Sequence, residues 1–316
     1  MPNFRVIDSC CHESVTEEET CQLYRSSRPD FLTAAEIDTF KQLGIRSIID
    51  FRSVKEYHNA SGPKLLDCHF PLYKVKLPLH FKYRAGDKVK FGRLPNNWVC
   101  RDETTQRKHF LINFFTLNYI WAVYNRAPWY IRLFSVLVLI YDILFRTGYK
   151  YFVRLFARHV LNKRGLAGQY IDMITYSQGA ICSALKLLTD PQNTPAMLNC
   201  AHGKDRTGIV CALVLACLGK SKEYIAEEYA KSEIQLGSMK ERLHDEIVNN
   251  FHMCHTFTSA KAETMVHVLE HVETQYGSYR NYLESIGFGE DEQEKLRHNL
   301  LNSGPVQVTD EPVVFS

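Results

Sequence analysis

The spacing of apolar residues near the start of the chain predicts an amphipathic helix followed by a buried strand. Residues 34–43 repeat apolar side chains at helical spacing, and Thr33 and Glu36 form a capping-box pattern at their start. Gly44 can end this helix. Residues 45–51 (IRSIIDF) then have the continuous apolar character of a buried strand.

The second half of the chain has the same alternation of helix and strand. Residues 169–188 carry apolar side chains at helical spacing, and 196–199 are a short strand candidate. The segment 208–218 (GIVCALVLACL) is apolar on every face, which predicts a buried helix. Further helices are predicted at 222–232, 239–252, 260–275 and 290–301.

The middle of the chain, residues 74–164, has a different pattern. Two uncharged runs occupy 110–125 and 133–141, and basic residues then recur at every fourth position between apolar ones: Arg146, Lys150, Arg154 and Arg158. This repeat predicts a basic amphipathic helix. A membrane-spanning helix needs about 20 apolar residues, so both runs are short for one. Three hypotheses remain for this region: a spanning helix, a helical lid or core insertion, and a helix pair in the membrane interface.

Charge separates the middle segment from the rest of the chain. The 316 residues have a formal net charge of +3, yet 74–164 contains 18 Lys and Arg against four acidic residues. This block indicates an anionic partner, such as nucleic acid, a membrane surface or phosphate, unless it is only a solvated basic face. The hydrophobic fraction of 45% excludes a wholly disordered chain.

The ten cysteines are scattered without a CxxC pair, which excludes a small disulfide scaffold and disfavours a zinc module. The N-terminus, MPNFRVIDSC, has no apolar signal region, so we expect a reducing, cytoplasmic compartment.

One segment, 200–208 (CAHGKDRTG), combines residues that suit phosphate chemistry. A loop between a strand and a buried helix can direct successive N–H groups at a dianion, and Arg206 can bind two phosphate oxygens. The same positive field favours a thiolate at Cys200, which can attack phosphorus, and Thr207 can donate its hydroxyl to the departing sulfur. The residues expected around the phosphate are Ala201, His202, Gly203, Lys204 and Gly208. The alternative is an inert buried cysteine beside a surface arginine.

The segment CAHGKDRTG resembles the signature loop of the cysteine-dependent tyrosine phosphatase superfamily. It is most similar to the bacterial-type tyrosine and lipid phosphatases, whose loop typically reads HCxAGKDRTG. Four further segments agree with that family: LYRSS, LGIR followed by IDFRS, IAEEYAKS, and YGS with YL. The resemblance covers roughly 1–73 and 165–301 and leaves the basic middle unexplained. It implies an α/β fold with a tyrosine-phosphatase-like central sheet flanked by helices.

The resemblance also implies the domain organisation. We expect one phosphatase domain over 1–303, with 74–164 as a basic, hydrophobic helical insertion or lid, and a tail at 304–316. Two loop positions depart from the family pattern. Asn199 stands where the family usually has a histidine that tunes the thiolate, and His202 stands where a small residue is usual, so it can narrow the pocket or add positive charge.

The general acid that protonates the leaving group has two candidates. No carboxylate follows 69–71 (HFP), where a separate acid loop would begin. Asp205 lies inside the signature loop, where the myotubularins carry an aspartate proposed as the acid; its alternative is a structural carboxylate that pairs with Lys204. Asp50 is the second candidate, as an accessory group with Arg52 at a strand end, where open α/β sheets place their sites. An Asp-x-Arg there more often forms a buried ion pair that orders the loop.

These observations predict a cysteine-dependent phosphatase that acts on phosphotyrosine proteins, phosphoinositides or both through a cysteinyl-phosphate. No cofactor or metal and no nucleic-acid partner is expected. Lys204 is either a solvated surface lysine or a residue on the loop rim that adds charge beside the phosphate. The resemblance to 3-phosphoinositide phosphatases, which also have a lysine before the final loop pair, implies a polyanionic substrate, and the basic segment then favours inositol lipids. The four spaced basic residues are expected to bind an anionic membrane surface, which would make the protein peripheral at membranes. The alternative is a weak or inactive pseudophosphatase that serves as a membrane scaffold.

Overall fold

A mixed seven-stranded sheet lies at the centre of the computed structural model, which describes residues 1–7, 11–12, 20–78, 82–95 and 106–301. Its strands are β1 (Arg5–Val6), β4 (Leu23–Ser26), β5 (Ser47–Asp50), β6 (Leu72–Lys76), β7 (Lys90–Arg93), β8 (Lys108–Leu111) and β9 (Ala196–Asn199), and a separate pair is formed by β2 (Cys11–His12) and β3 (Thr20–Cys21). The order in the sheet is β1-β4-β9-β5-β8-β6-β7. The five central strands run parallel, and the two edge strands run antiparallel to their neighbours.

Helices flank this sheet, which confirms the α/β fold. In the described part of the chain they are α1 (Ala34–Gln42), α2 (Val54–Asn59), α3 (Leu117–Arg126), α4 (Trp129–Leu144), α5 (Lys150–Phe156), α6 (Asn162–Tyr176), α7 (Gln178–Leu188), α8 (Asp205–Cys217), α9 (Lys222–Gln235), α10 (Lys240–His244), α11 (Ala262–Tyr276), α12 (Tyr279–Ser285) and α13 (Glu290–Leu301). The predicted tail, 304–316, lies outside the described residues.

Local sequence signals set several helix boundaries. The predicted capping box before α1 is confirmed, because Thr33 and Glu36 each satisfy a backbone N–H at the helix start. The predicted helix at 169–188 is wrong as one element, since it breaks at Ser177 between α6 and α7. The predicted helix at 239–252 is likewise wrong, because α10 gives way to a wider π-helical turn over 245–250.

The sheet register brings three strand ends to one edge. β9 lies between β4 and β5, and Asn199 is paired in register with both Ser26 and Asp50. All four residues of each of these strands are buried, as is nearly all of α8. The segments that leave β4, β5 and β9 therefore meet at the carboxyl edge of the sheet, where parallel α/β sheets place their sites.

The middle segment, 74–164, is helical only in its second part. The expectation of a helical insertion from residue 74 is wrong for the first part, because that part completes β6 and supplies β7 and β8 of the central sheet. Helices begin at Leu117 with α3 and continue through α4 and α5. Within the described ranges, no helix is long and apolar enough to cross a membrane.

The predicted basic helix through 146–158 is also interrupted. Arg146 lies in the turn after α4 with a positive φ of 51°, and α5 begins at Lys150. The cause is Asp142, whose carboxylate accepts hydrogen bonds from the backbone N–H of Phe152 at 2.7 Å and of Tyr151 at 3.3 Å. This side chain satisfies free donors at the start of α5, so a new helix starts here instead of continuing α4.

Candidate active site

The loop that carries the Cys-x5-Arg motif joins β9 to the N-terminus of α8. Cys200 follows the last strand residue and is 1% exposed. The helix begins at Asp205 and runs for 13 residues into the core. Its unpaired N–H groups and the positive end of its dipole lie at the loop, so the site favours an anion next to the Cys200 sulfur.

Gly203 shapes this loop because no other residue fits there. Its φ is +64°, and a Cβ at this position would lie 2.0 Å from the backbone oxygen of Ser26. The Gly203 carbonyl accepts hydrogen bonds from Arg25 Nη2 at 2.7 Å and from Asn3 Nδ2 at 2.8 Å. These two hydrogen bonds fix the orientation of the Gly203 peptide group.

A buried charge cluster packs against the loop through Arg25, which binds the Gly203 carbonyl. Arg25 Nη1 contacts Glu228 Oε2 at 2.6 Å, and Arg5 Nε contacts Glu228 Oε1 at 2.7 Å. Burial raises the pKa of Glu228, but the two guanidinium groups outweigh burial and lower it overall. Sequence reasoning did not single out Arg25 or Glu228, although both lie in segments that match the family pattern, LYRSS and IAEEYAKS.

Arg206 is held beside Cys200 by two acceptors. Its Nη1 donates to Glu56 Oε1 at 2.8 Å and to the carbonyl of Phe51 at 2.9 Å, and its guanidinium carbon lies 4.9 Å from the centre of the Phe115 ring. Burial alone would lower the pKa of Arg206, but Glu56 and Cys200 raise it above its usual value. Glu56 was not predicted as a site residue; its signal in the sequence is the second capping box, formed with Ser53.

Two polar side chains around Cys200 are buried without a hydrogen-bond partner among the described residues. Thr207 is 0% exposed, and no acceptor or donor in that part of the chain meets its Oγ1. Asn199 is also buried, and both its Oδ1 and Nδ2 lack partners there. Unsatisfied buried polar atoms cost free energy, so their occurrence beside the loop suits a site that binds a ligand.

Lys204 does not lie on the loop rim, so that expectation is wrong. Its side chain is 0% exposed, and Nζ donates to the carbonyls of Phe257 at 2.7 Å and Ser259 at 2.9 Å. Nζ also lies 3.0 Å from Asp205 Oδ1. The ammonium group thus ties the loop to the segment 257–259 instead of facing solvent, because one buried and one partly buried carbonyl there accept its hydrogen bonds.

Replacing Lys204 with methionine is therefore expected to lower the free energy of unfolding by about 1–3 kcal/mol, since one buried and one partly buried carbonyl lose their donor. Denaturant unfolding checks this value, with Lys295→Met on the exposed side of α13 as the matched control. A variant of unchanged stability with a raised KM would show instead that Lys204 contacts the substrate.

Asp205 is held at the start of α8 by two donors, Lys204 and Tyr170. Tyr170 donates its hydroxyl to Asp205 Oδ1 at 2.7 Å, and the Tyr229 hydroxyl oxygen lies 2.8 Å from that of Tyr170. Burial raises the pKa of Asp205, but Lys204 and Tyr170 outweigh it, and the pKa lies below its usual value. These two neighbours favour the ionised form of the carboxyl group.

His202 points toward the segment 245–250. Its Nε2 lies 2.9 Å from Glu246 Oε2, and Arg242 donates to the other carboxylate oxygen of Glu246 at 2.8 Å. Burial raises the pKa of Glu246, but the bonds from His202 and Arg242 bring it down to about 2. His202 thus links the loop to its neighbouring segment.

Asp50 and Arg52 form the buried ion pair that was the alternative to direct chemistry. Arg52 Nη2 contacts Asp50 Oδ2 at 2.6 Å, and Arg52 Nη1 contacts Asp30 Oδ2 at 2.7 Å. All three side chains are at most 1% exposed. Burial raises the pKa of Asp50, but Arg52 and His109 lower it far more. This pair orders the chain after β5, next to the Phe51 carbonyl that binds Arg206.

The remaining loop residues pack closely on the scaffold. The Ala201 carbonyl accepts a hydrogen bond from the N–H of Arg28 at 3.3 Å. A Cβ at Gly208 would lie 2.9 Å from Cδ2 of Tyr229, so glycine permits α8 to approach α9. Both residues thus fix the position of the loop relative to its neighbours, without showing a contact to a ligand.

The four basic residues expected at a membrane surface have different surroundings. Lys150 and Arg154 are half-buried: Lys150 Nζ donates to Asn250 Oδ1 at 3.3 Å, and Arg154 Nε donates to the Asn250 carbonyl at 2.7 Å. Arg146 and Arg158 are exposed. The four side chains do not form one continuous stripe, because Arg146 precedes the turn at Gly148.

Comparisons with known proteins give one family and two curated relatives. The family model described as "Tyrosine phosphatase family" matches residues 1–302. The triple specificity protein phosphatase PtpB of Mycobacterium tuberculosis is 29% identical over 121 residues, which cover 34% of this chain and 44% of that protein. A tyrosine-protein phosphatase of Nostoc commune is 27% identical over 152 residues, or 44% of this chain and 50% of that protein. The chain thus spans half or less of the length of these relatives.

Proposed function

The chain belongs to the tyrosine phosphatase family, and from this premise we propose that it hydrolyses phosphomonoesters by using Cys200 as the nucleophile. The observation that carries the proposal is the position of Cys200 at the positive end of α8, with the Arg206 guanidinium anchored beside it. A loop of free N–H groups and a bidentate cation bind a tetrahedral dianion and stabilise the thiolate.

The reaction takes two steps. In the first, the Cys200 sulfur attacks phosphorus, the bond from phosphorus to the ester oxygen breaks, and that oxygen leaves with the electron pair and takes up a proton. In the second, water attacks the cysteinyl-phosphate, the bond between sulfur and phosphorus breaks, and inorganic phosphate is released. Arg206 and the loop N–H groups hold the equatorial oxygens in both steps, and Thr207 donates its hydroxyl to the departing sulfur.

Asp205 supplies and accepts the proton in this scheme. A bound phosphate dianion is a like charge, so it raises the pKa of Asp205 and favours a protonated carboxyl for the first step. After the alkoxide or phenoxide has left with that proton, the ionised carboxylate accepts a proton from the attacking water. Tyr170 orients the carboxyl by its hydrogen bond to Oδ1.

The proposed substrates are phosphotyrosine proteins, phosphoinositides or both. The support for an inositol lipid is the excess of basic residues in 74–164, which contains 18 Lys and Arg and four acidic residues. Lys204 does not support an inositol lipid, because its ammonium group is buried against 257–259. Arg146 and Arg158 are the exposed members of the basic set proposed for a membrane surface.

A panel of phosphopeptides, phosphoinositides and an activated aryl phosphate tests the function. Wild-type protein should release phosphate from the aryl phosphate and from at least one of the two substrate classes. EDTA should leave the rate unchanged, because the proposed nucleophile is a cysteine sulfur and not a metal-bound water. Binding of phosphate ligands without turnover of any substrate would contradict the proposal and support a phosphate-binding scaffold.

A further inference from the structure

The helices α3 and α4 expose large apolar side chains to solvent. On α4 these fall at helical spacing along one stripe, which includes Trp129, Leu133, Leu137 and Leu144, each 63–72% exposed. Trp121 on α3 and Phe145 after α4 are exposed to a similar extent. Contiguous apolar surface of this kind is rare on soluble proteins unless another phase or molecule covers it. We call the exposed apolar side chains of α3, α4 and Phe145 the apolar face.

The chain segment that contains this face carries mostly positive charges. From 106 to 164 the chain has ten Lys and Arg and a single acidic residue, Asp142. Asp142 is 2% exposed and is used to start α5, so it does not add negative charge at the surface. Arg146, Arg158 and Lys163 are exposed nearby along the chain. An apolar face in a segment with exposed basic residues is complementary to the apolar interior and anionic headgroups of a bilayer leaflet.

The apolar helices adjoin the loop that carries Cys200. Phe115, two residues before α3, packs on the Arg206 guanidinium. In the turn after α4, the Tyr149 ring centre lies 3.8 Å from Nζ of Lys55, which neighbours the Glu56 that binds Arg206. The chain before α3 and the chain after α4 thus both lie near Arg206 and the Cys200 loop. A membrane bound to α4 would therefore lie close to that loop.

We propose that the apolar face inserts into one leaflet of an anionic membrane and lies in the membrane plane, so that the Cys200 loop meets phosphate esters at that surface. Membrane binding is independent of the proposed function, whereas the meeting of the loop with phosphate esters rests on it. α4 has 16 residues and is about 24 Å long, shorter than the roughly 30 Å hydrocarbon core. Trp121, Trp129 and Tyr130 are exposed side chains of the type enriched at membrane–water interfaces.

Flotation with vesicles tests the proposal. The probe is a mixture of about three parts phosphatidylcholine to one part phosphatidylserine, compared with phosphatidylcholine alone. Wild-type protein should float with the anionic vesicles, with a blue-shifted tryptophan emission. The paired variant Leu133→Glu with Leu137→Glu should bind about a hundredfold more weakly, because two inserted side chains become charged. The pair Arg146→Gln with Arg158→Gln should bind about thirtyfold more weakly at low salt.

Two controls separate insertion from general effects. Ile234→Glu changes a side chain that is 83% exposed on α9, outside the apolar face, and should bind like wild type. Leu133→Gln with Leu137→Gln removes the apolar groups without adding charge and should still weaken binding about tenfold or more. Turnover of a soluble aryl phosphate should be unchanged in every variant, since none of these residues contacts the loop.

Two binding results overturn the inference: equal vesicle binding by the glutamate pair and wild type, or no vesicle binding by wild type. A third contrary result is a wild-type protein that is dimeric without lipid while the glutamate pair is monomeric. The last result would assign the apolar face to a second copy of the chain. If vesicle binding follows the prediction while no phosphate ester is hydrolysed by any variant, the membrane inference stands and the proposed function fails.

Discussion

Replacing Cys200 with serine is expected to lower turnover of phosphomonoesters by about 10⁴–10⁶-fold, while the protein still binds phosphate. The hydroxyl of serine is a much weaker acid and a poorer nucleophile than a thiol, so the covalent step is lost. The Arg206 guanidinium and the loop N–H groups are untouched, and they retain the dianion. Steady-state phosphate release and equilibrium binding of inorganic phosphate measure the two effects separately.

The exposed Cys254 provides the matched control for this substitution, since Cys254→Ser also replaces a thiol sulfur with a hydroxyl oxygen, but outside the loop. That variant should keep wild-type turnover. Steady hydrolysis by Cys200→Ser near the wild-type rate would remove the thiolate from the mechanism.

Replacing Asp205 with asparagine is expected to slow substrates with poor leaving groups by about 10²–10⁴-fold, or roughly 3–5 kcal/mol of barrier. Activated aryl phosphates, whose leaving groups depart without a proton, should be slowed far less. The amide keeps a hydrogen-bond acceptor for Tyr170 but cannot exchange a proton with the substrate or water. The ratio of kcat/KM values for alkyl and activated aryl phosphates measures the effect.

The lowered pKa of Asp205 limits when its carboxyl group can act as an acid. Because Lys204 and Tyr170 favour the ionised form, the proposed acid role requires that bound substrate favour the protonated form. Asp38→Asn on exposed α1 is the control for a loss of one carboxylate and should leave both rates unchanged. Equal losses on both substrate types in Asp205→Asn would show that the carboxylate shapes the loop and does not transfer a proton.

The elements that hold the Cys200 loop could be predicted from the sequence because their signals are local. The strand before Cys200 and the buried helix after it follow from apolar runs, and the start of α1 follows from a capping box. A loop with a glycine between these elements predicts a site for an anion. The resemblance to the family pattern over 200–208 rests on the same residues.

The partners of the loop side chains could not be predicted because they come from distant parts of the chain. Glu228 meets Arg25 across 203 positions, and Glu56 meets Arg206 across 150. The rim position expected for Lys204 failed for the same reason, since its carbonyl acceptors lie 53 and 55 residues away. Spacing indicates which residues share the loop, whereas tertiary packing decides which way each side chain points.

The middle segment shows the limit of periodicity as a signal. A repeat of basic residues at every fourth position suggested one helix, but the Asp142 carboxylate caps a second helix, α5, and Arg146 falls in the turn before it. The uncharged runs were recognised, yet their exposure on α4 could not be foreseen, because buried and membrane-facing apolar helices have the same composition.

The measurement that tests the central claim most directly is the trapping of phosphate on the protein. Wild-type protein is mixed with an activated aryl phosphate, quenched with denaturant during turnover, digested, and analysed by mass spectrometry. The account predicts a phosphate group on the peptide that contains Cys200 and none on that peptide from Cys200→Ser. Turnover by wild-type protein with no phosphate on Cys200 at any quench time, or with phosphate on another residue, would contradict it.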